Sequence, residues 1–372
     1  LNGPRHHQSF LRAILDSPND DLPRLVYADF LEESGEADRA EFIRIQCELA
    51  TVGFSRERRN ALESRERELL TKYVEVWKLP IRGHQTFRRG FVDTLWTSAN
   101  FLLAGDPERI SDSTVRTLRI TNADQRIDDL AEYRGFANIE HLDLTNNNLS
   151  GDYRLRAILG NPHLGKLKGL NLHNNRIWAD DVLRLAQSPV ARHLTHLDLS
   201  GNGIGNDGLR HLLAEPGYAN LEELIVRSDG LPEYECITAD GLGAYFPGEH
   251  LSKLRHFDIA GHRIGETGFA FVCQSAMRCP IQTLSVASNH LGGDGSGFIK
   301  AIFEPIGEVP LRAINYGGNE LVARDARHLL RWPHLEHMFE FRLTGCEMWD
   351  DTREMLLASP HAAKFQLDGE TP

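Results

Sequence analysis

The residues best suited to chemistry in this 372-residue chain are three His-x-Asp pairs: His141 with Asp143, His196 with Asp198, and His256 with Asp258. Imidazole and carboxylate are zinc ligands and also the usual partners in proton transfer. Each pair lies in a short segment of alternating apolar and polar residues. In an extended strand its two side chains leave the same face about 6–7 Å apart. A metal centre needs three or four ligands converging at about 2 Å, and the pairs do not fall on consecutive segments. Asp143, His173 and Asp198 do, and they form the one set that could converge. The competing reading is a row of polar residues solvating an exposed sheet. Nothing resembles a nucleophile with an oriented base, and no phosphate-binding glycine loop is present. The expectation is therefore no catalytic residue, no resident metal and no cofactor.

Those segments recur. IEHLDLTNNNL from Ile139 is followed by LKGLNLHNNRI from Leu167, LTHLDLSGNGI from Leu194 and LEELIVRSDGL from Leu221. LRHFDIAGHRI from Leu254, IQTLSVASNHL from Ile281, LRAINYGGNEL from Leu311 and MFEFRLTGCEM from Met338 complete the run. Their starts are 28, 27, 27, 33, 27, 30 and 27 residues apart, a period that predicts a stacked array rather than a single globular core. Positions 1, 4 and 6 of each unit are apolar and point inward. Position 9 is Asn147, Asn175, Asn202, Asn289 and Asn319, where an amide can bond the backbone of its own and the adjoining coil. Asp229, His262 and Cys346 stand there in the remaining units.

The rest of each unit reads as a helix, as in DDVLRLAQSP and DGLRHLLAEP, opened by Asp or Thr and often closed by Pro. Asp180, Asp207, Asp240, Asp325 and Asp350 are accordingly read as caps or first-turn residues. A short strand and a longer helix differ in width, so stacking predicts a horseshoe or arc, with the parallel sheet concave and the helices convex.

Upstream, residues 8–75 read as helical. Phe10, Leu11, Ile14 and Leu15 share one face before Pro18, and LPRLVYADFLEESG and AEFIRIQCELA follow. A charged helix from about Ser55 to Trp77 carries one apolar stripe, Leu62, Leu69, Tyr73 and Val76. After Pro80 and Gly83, FRRGFVDTLWTS and then VRTLRIT from Val115 read as degenerate entry units. VRTLRIT has Ala123 in place of the asparagine. KFQLDGETP begins one further strand, at which Phe365 and Leu367 either close the core or leave an edge.

Acidic residues number 53 and basic ones 41, a net charge of −12, which argues against a nucleic-acid partner. No apolar run is long enough to span a bilayer, and no membrane association is expected. The five cysteines, Cys47, Cys236, Cys273, Cys279 and Cys346, show no disulfide or metal spacing, which favours a reducing, cytoplasmic setting.

The LxxLxLxxNxL units with a helical return resemble leucine-rich repeats of the ribonuclease-inhibitor-like class. LVYADFLEESG followed by the EFIRIQ helix, Leu25 to Gln46, resembles the repeat-companion domain found mainly in planctomycete proteins, and FRRGF at 87–91 is similar to its entry into such arrays. The resemblance implies an α/β leucine-rich-repeat solenoid preceded by a small all-helical domain. Its expected divisions are a companion domain with linking helix at 8–78, degenerate entry repeats at 86–138, and repeats with a short terminal strand at 139–372. It also implies macromolecular recognition, without naming a partner.

The expected function is thus non-enzymatic binding of a protein partner on the concave face. The outward strand positions nominate His141, Asp143, His173, His196, Asp198, Glu223, Arg227, His256, Asp258, Asn315, Glu340 and Arg342. Tyr27 and Asp29 are candidate recognition residues in the helical domain, although those helices read first as a cap over the apolar end of the array. Insertions of LPEYECITA and of GGDGSG at 292–297 lengthen two units and are read as loops on one side of the stack. The alternatives are a structural protein that self-associates through its terminal repeat or N-terminal helices, and a metal-dependent hydrolase using the His–Asp strip. A monomer or weak self-association is expected.

Overall fold

A computed structural model describes residues 4–51, 53, 55–151, 153–243, 250–275, 280–292 and 311–368. Cys279, the turn at 293–297 and the helix expected in GFIKAIFEP lie outside these residues. The fold is α/β, with a mostly parallel sheet whose strands β1 to β12 follow chain order. The chain forms two compact units, one of Leu1–Asp143 with Asn161–Lys166, the other of Leu144–Gly160 with Leu167–Pro372.

The first unit opens with α1 (Pro4–Asp16), α2 (Leu22–Glu33), α3 (Ala37–Leu49) and α4 (Arg56–Trp77). Apolar residues on two sides of α3 supply two cores. Ala40, Ile43 and Cys47 pack with Ile14, Tyr27, Ala28, Leu31 and Phe91. Phe42 and Ile45 pack with Leu62 and Leu69, and Phe87, Tyr73 and Trp77 close over them. Phe87 and Phe91 therefore reach opposite sides of one helix from the two arms of a hairpin, β1 (His84–Arg88) and β2 (Phe91–Ser98), which pair antiparallel. Sequence reading places β2 but not β1.

The hairpin turn is gripped by α3. Gln46 Oε1 accepts the Gly90 amide at 2.6 Å, and Arg39 donates to the Gly90 carbonyl at 2.5 Å. Gly90 has φ +88°, and a Cβ there would lie 2.6–2.9 Å from Ile43, so this close left-handed turn requires glycine. The Arg39 guanidinium lies over the rings of Phe42, Trp77 and Phe91. Burial lowers its pKa to about 10, which leaves it cationic at neutral pH. EFIRIQ, from the stretch resembling the companion domain, and FRRGF, resembling its entry into the array, thus pack on each other. Parallel pairing then begins: β2 with β3 (Thr117–Thr121), and β3 with β4 (His141–Asp143).

In the second unit three-residue strands alternate with helices. The strands are β5 (Gly169–Asn171), β6 (His196–Asp198), β7 (Glu223–Ile225), β8 (His256–Asp258), β9 (Thr283–Ser285), β10 (Ala313–Asn315), β11 (Glu340–Arg342) and the short β12 (Phe365–Gln366), all paired parallel. Among the helices are α5 (Ala179–Gln187), α6 (Gly205–Ala214) and α7 (Gly265–Ser275). Leu170, Leu172, Leu197, Leu199, Leu224, Phe257, Ile259 and their equivalents are buried, as are Phe365 and Leu367. Asp180, Asp207, Asp240, Asp325 and Asp350 all fall in helical first turns, where a negative charge meets the positive end of the helix dipole.

Position 9 holds the coils together by a constant pattern. Each side chain donates to the position-6 carbonyl of the preceding unit: Asn175 to Leu144, Asn202 to Leu172, Asn289 to Ile259 and Asn319 to Val286. Asn202 Oδ1 also accepts the amides of Asn175 at 2.8 Å and Ile177 at 2.9 Å. His262 fills the same place. Its Nε2 donates to the Val226 carbonyl and its Nδ1 accepts the Ile237 amide, so the buried ring reproduces both halves of an amide. Cys346 donates its thiol to the Tyr316 carbonyl.

Asp229 is not in the ladder. The left-handed residue that ends each strand is at position 8 in its neighbours, Asn174, Gly201 and Gly261, but at Asp229 in this unit. That one-residue slip turns Ser228 inward and Asp229 outward. Because His262 takes the Ile237 amide, Ile237 holds the place of position 11, and the extra residues precede it.

Candidate binding face

Strand registry sets the polar rows. Gly169, His196, Glu223 and His256 are aligned across β5–β8, as are Asn171, Asp198, Ile225 and Asp258. In all three His-x-Asp strands the histidine is exposed and the aspartate half-buried.

The aspartates are half-buried for a local reason. Asp198 Oδ1 accepts the Ser200 amide and Asp258 Oδ1 the Ala260 amide, both at 2.9 Å. Asn171 does the same for His173 at 2.8 Å and Asn315 for Gly317 at 3.2 Å. Position 5 thus caps the end of its own strand with a carboxylate or an amide interchangeably. Asp198 and Asp258 are strand-end caps beside exposed imidazoles, and among the described residues no group of three or more His, Cys, Asp or Glu is arranged to hold a metal.

The remaining nominated residues take up charge pairs. His173 Nε2 lies 3.7 Å from Asp229, which Arg227 approaches at 3.5 Å, and His196 Nε2 lies 3.7 Å from Glu223. Glu340 pairs with Arg342 at 2.7 Å, and Arg342 also reaches Gln366. Burial raises the Asp258 pKa, and Asp198 pushes it the same way; the Ala260 amide, Ser285 hydroxyl and Arg227 oppose them. His141 is exposed on β4, and Asp143 meets Arg119 at 3.5 Å. Asp143, His173 and Asp198 therefore each have a different partner.

Tyr27 is a core residue. Its ring stacks with Phe10 and Phe91 and its hydroxyl bonds His7 Nδ1 at 2.8 Å. Asp29 is exposed and pairs with Arg44 at 2.6 Å.

Other face residues escaped sequence reading. In the first unit Trp96, 46% exposed, is packed between His84 and the Arg119 guanidinium. The even alternation of FVDTLWTS carried that signal. In the second unit the insertion at 229–236 folds back over Gly203 toward Trp178: a Cβ on Gly203 would lie 2.7 Å from Glu235 and 2.8 Å from Trp178. Trp178 is 48% exposed and Tyr234, on the insertion, 83%.

The leucine-rich-repeat family model matches residues 190–213, which contain β6 and most of α6. No curated protein matches the chain. Among solved structures, a Bacteroides fragilis protein aligns over 83% of this chain and 83% of its own, with 15% identity and a TM-score of 0.45. The crystal structure of the Rad7 and Elc1 complex in yeast aligns over 92% of this chain and 95% of that one, with 12% identity and a TM-score of 0.42. Among the described residues no helix is long and apolar enough to cross a membrane. With its ladder, parallel strands and matched repeat, the fold is a leucine-rich-repeat solenoid.

Proposed function

We propose that this chain is a non-enzymatic binding module that holds a protein partner on the strand face of its repeats, centred on β6–β8 and the insertion beside them. One observation carries the reading: exposed aromatics, Trp178 and Tyr234, accompany strand residues Asp198 and Asp258, whose carboxylates are held by local hydrogen bonds, and Glu223 and Arg227, which pair with His196 and Asp229. Large rings beside pre-oriented polar groups make a good anchor because little side-chain entropy is lost on contact. In this reading residues 8–78 are a companion domain, 86–138 entry repeats and 139–372 the ribonuclease-inhibitor-like array, working in the cytoplasm without a cofactor. The test is quantitative affinity capture from the source organism with the wild type and with an Asp198→Ala, Arg227→Ala, Asp258→Asn variant of verified fold. A partner enriched by the wild type and lost with the variant supports the proposal; equal recovery rejects it.

Self-association through the last repeat is the second reading, favoured by Phe339 at 70% and Trp349 at 75% exposure. Sedimentation equilibrium of the wild type and of a Phe339→Ser, Trp349→Ser variant decides it. A monomer at tens of micromolar rules it out.

A further inference from the structure

Arg24, in α2, is 3% exposed. A buried guanidinium ordinarily has a carboxylate partner, because the charge is costly to desolvate alone. Arg24 has none within ion-pair distance among the described residues: one Nη donates to the Asp20 carbonyl at 2.7 Å, and Nε has no hydrogen-bond partner. The nearby carboxylates are committed elsewhere, Asp21 to Arg89 at 2.7 Å and Glu140 to Arg116 at 3.4 Å. Burial holds the Cys47 thiol up at about 12, so it stays neutral and supplies no counter-charge.

Arg24 lines a cavity of about 40 Å³ within the first unit. Arg116, Lys166, Glu140, Ser113 and Asn138 are among its other walls. Lys166 is exposed, donates to Asn138 at 2.7 Å and has no carboxylate within ion-pair distance among the described residues. The lining thus carries three cations against a single carboxylate, itself paired with Arg116. One water needs roughly 10–15 Å³ of such space, so the cavity accommodates a few waters or one small oxyanion.

We propose that this cavity binds a phosphate-type oxyanion, with Arg24 as its buried counter-ion and Lys166 at its mouth. Guanidinium groups suit such an anion because they offer several donors in a fixed plane, and a lysine adds a mobile point charge. Occupancy would tie α2 to the segments preceding β3 and β4, which supply Arg116, Ser113, Asn138 and Glu140.

The test uses the full chain, with phosphate titrated at constant ionic strength against chloride and followed by calorimetry and thermal unfolding. Saturable one-to-one binding with a rising Tm is expected, weakened about tenfold or more in Arg24→Met and several-fold in Lys166→Gln, as loss of charge-assisted hydrogen bonds implies. Lys166→Gln changes an exposed side chain, so it keeps the test decisive if Arg24→Met does not fold. Parallel titration with O-phosphoserine distinguishes the two sources: tighter binding than phosphate assigns the anion to a phosphoryl group on a larger ligand, and weaker binding assigns it to the free ion. No saturable binding of either, equal stabilisation by chloride, or unchanged affinity in Lys166→Gln would overturn the site.

Discussion

His262 accepts the Ile237 amide through Nδ1 at 3.0 Å, across the seam between two successive repeats. The bond requires Nδ1 to carry no proton, which fixes the tautomer and assigns the hydrogen on Nε2 to the Val226 carbonyl. Burial lowers the ring's pKa from 6.5 to about 4. A group depressed in this way contributes stability fully above its ordinary pKa, and the contribution fades as pH falls toward the folded value. The loss between these limits is about 3 kcal/mol. Urea unfolding at pH 7.5 and 4.5 should show His262→Asn retaining this amount relative to wild type at the lower pH. Parallel losses in both proteins would refute the assignment.

Asn202→Ala removes the acceptor for two buried amides, those of Asn175 and Ile177, and a donor to Leu172. Stranding such groups costs roughly 1–3 kcal/mol each, so a loss of about 3–5 kcal/mol is expected in denaturant titration. A loss under 1 kcal/mol would mean that solvent satisfies the seam.

Gly90 and Gly35 form a matched pair, with φ +88° and +87°, but only Gly90 has a neighbour within reach of a Cβ. Both Ala substitutions carry the left-handed penalty of about 1–2 kcal/mol. Gly90→Ala should cost about 1–3 kcal/mol more, through overpacking against Ile43. Thermal unfolding of the two variants reads the difference directly, and equal costs would exclude the tight contact.

Asp258→Asn should preserve the strand-end cap, since Asn171 and Asn315 cap their strands in the same way. The raised Asp258 pKa means that the ionised carboxylate is disfavoured in the folded chain. Its contribution is fully present below the ordinary carboxylate pKa and lost as pH rises through the folded one. The variant should therefore match wild type in acid and become the more stable of the two as pH rises. A variant less stable at neutral pH would contradict this.

Repeat period, inward leucines and asparagine seam were legible because each follows from a short pattern repeated in register. The strand-end role of Asp198 and Asp258 was not, since a carboxylate two residues beyond a histidine looks the same whether it faces solvent or its own backbone. Counting along the repeat put Asp229 in the seam. The sequence R-S-D-G supplies its left-handed residue one place late, and only the backbone reveals the slip. Tyr27 was a candidate recognition residue, but Phe10 and Phe91, distant in sequence, enclose it. The strand β1 escaped because its partner lies across a turn that depends on Gly90 meeting α3.

That grip on Gly90 makes one amide an internal gauge. Its hydrogen is held by the Gln46 side chain rather than by the strand ladder, so exchange with solvent requires α3 to withdraw. The exchange rate of this one proton should therefore measure how often the helical segment lifts from the first hairpin while the hairpin itself remains folded.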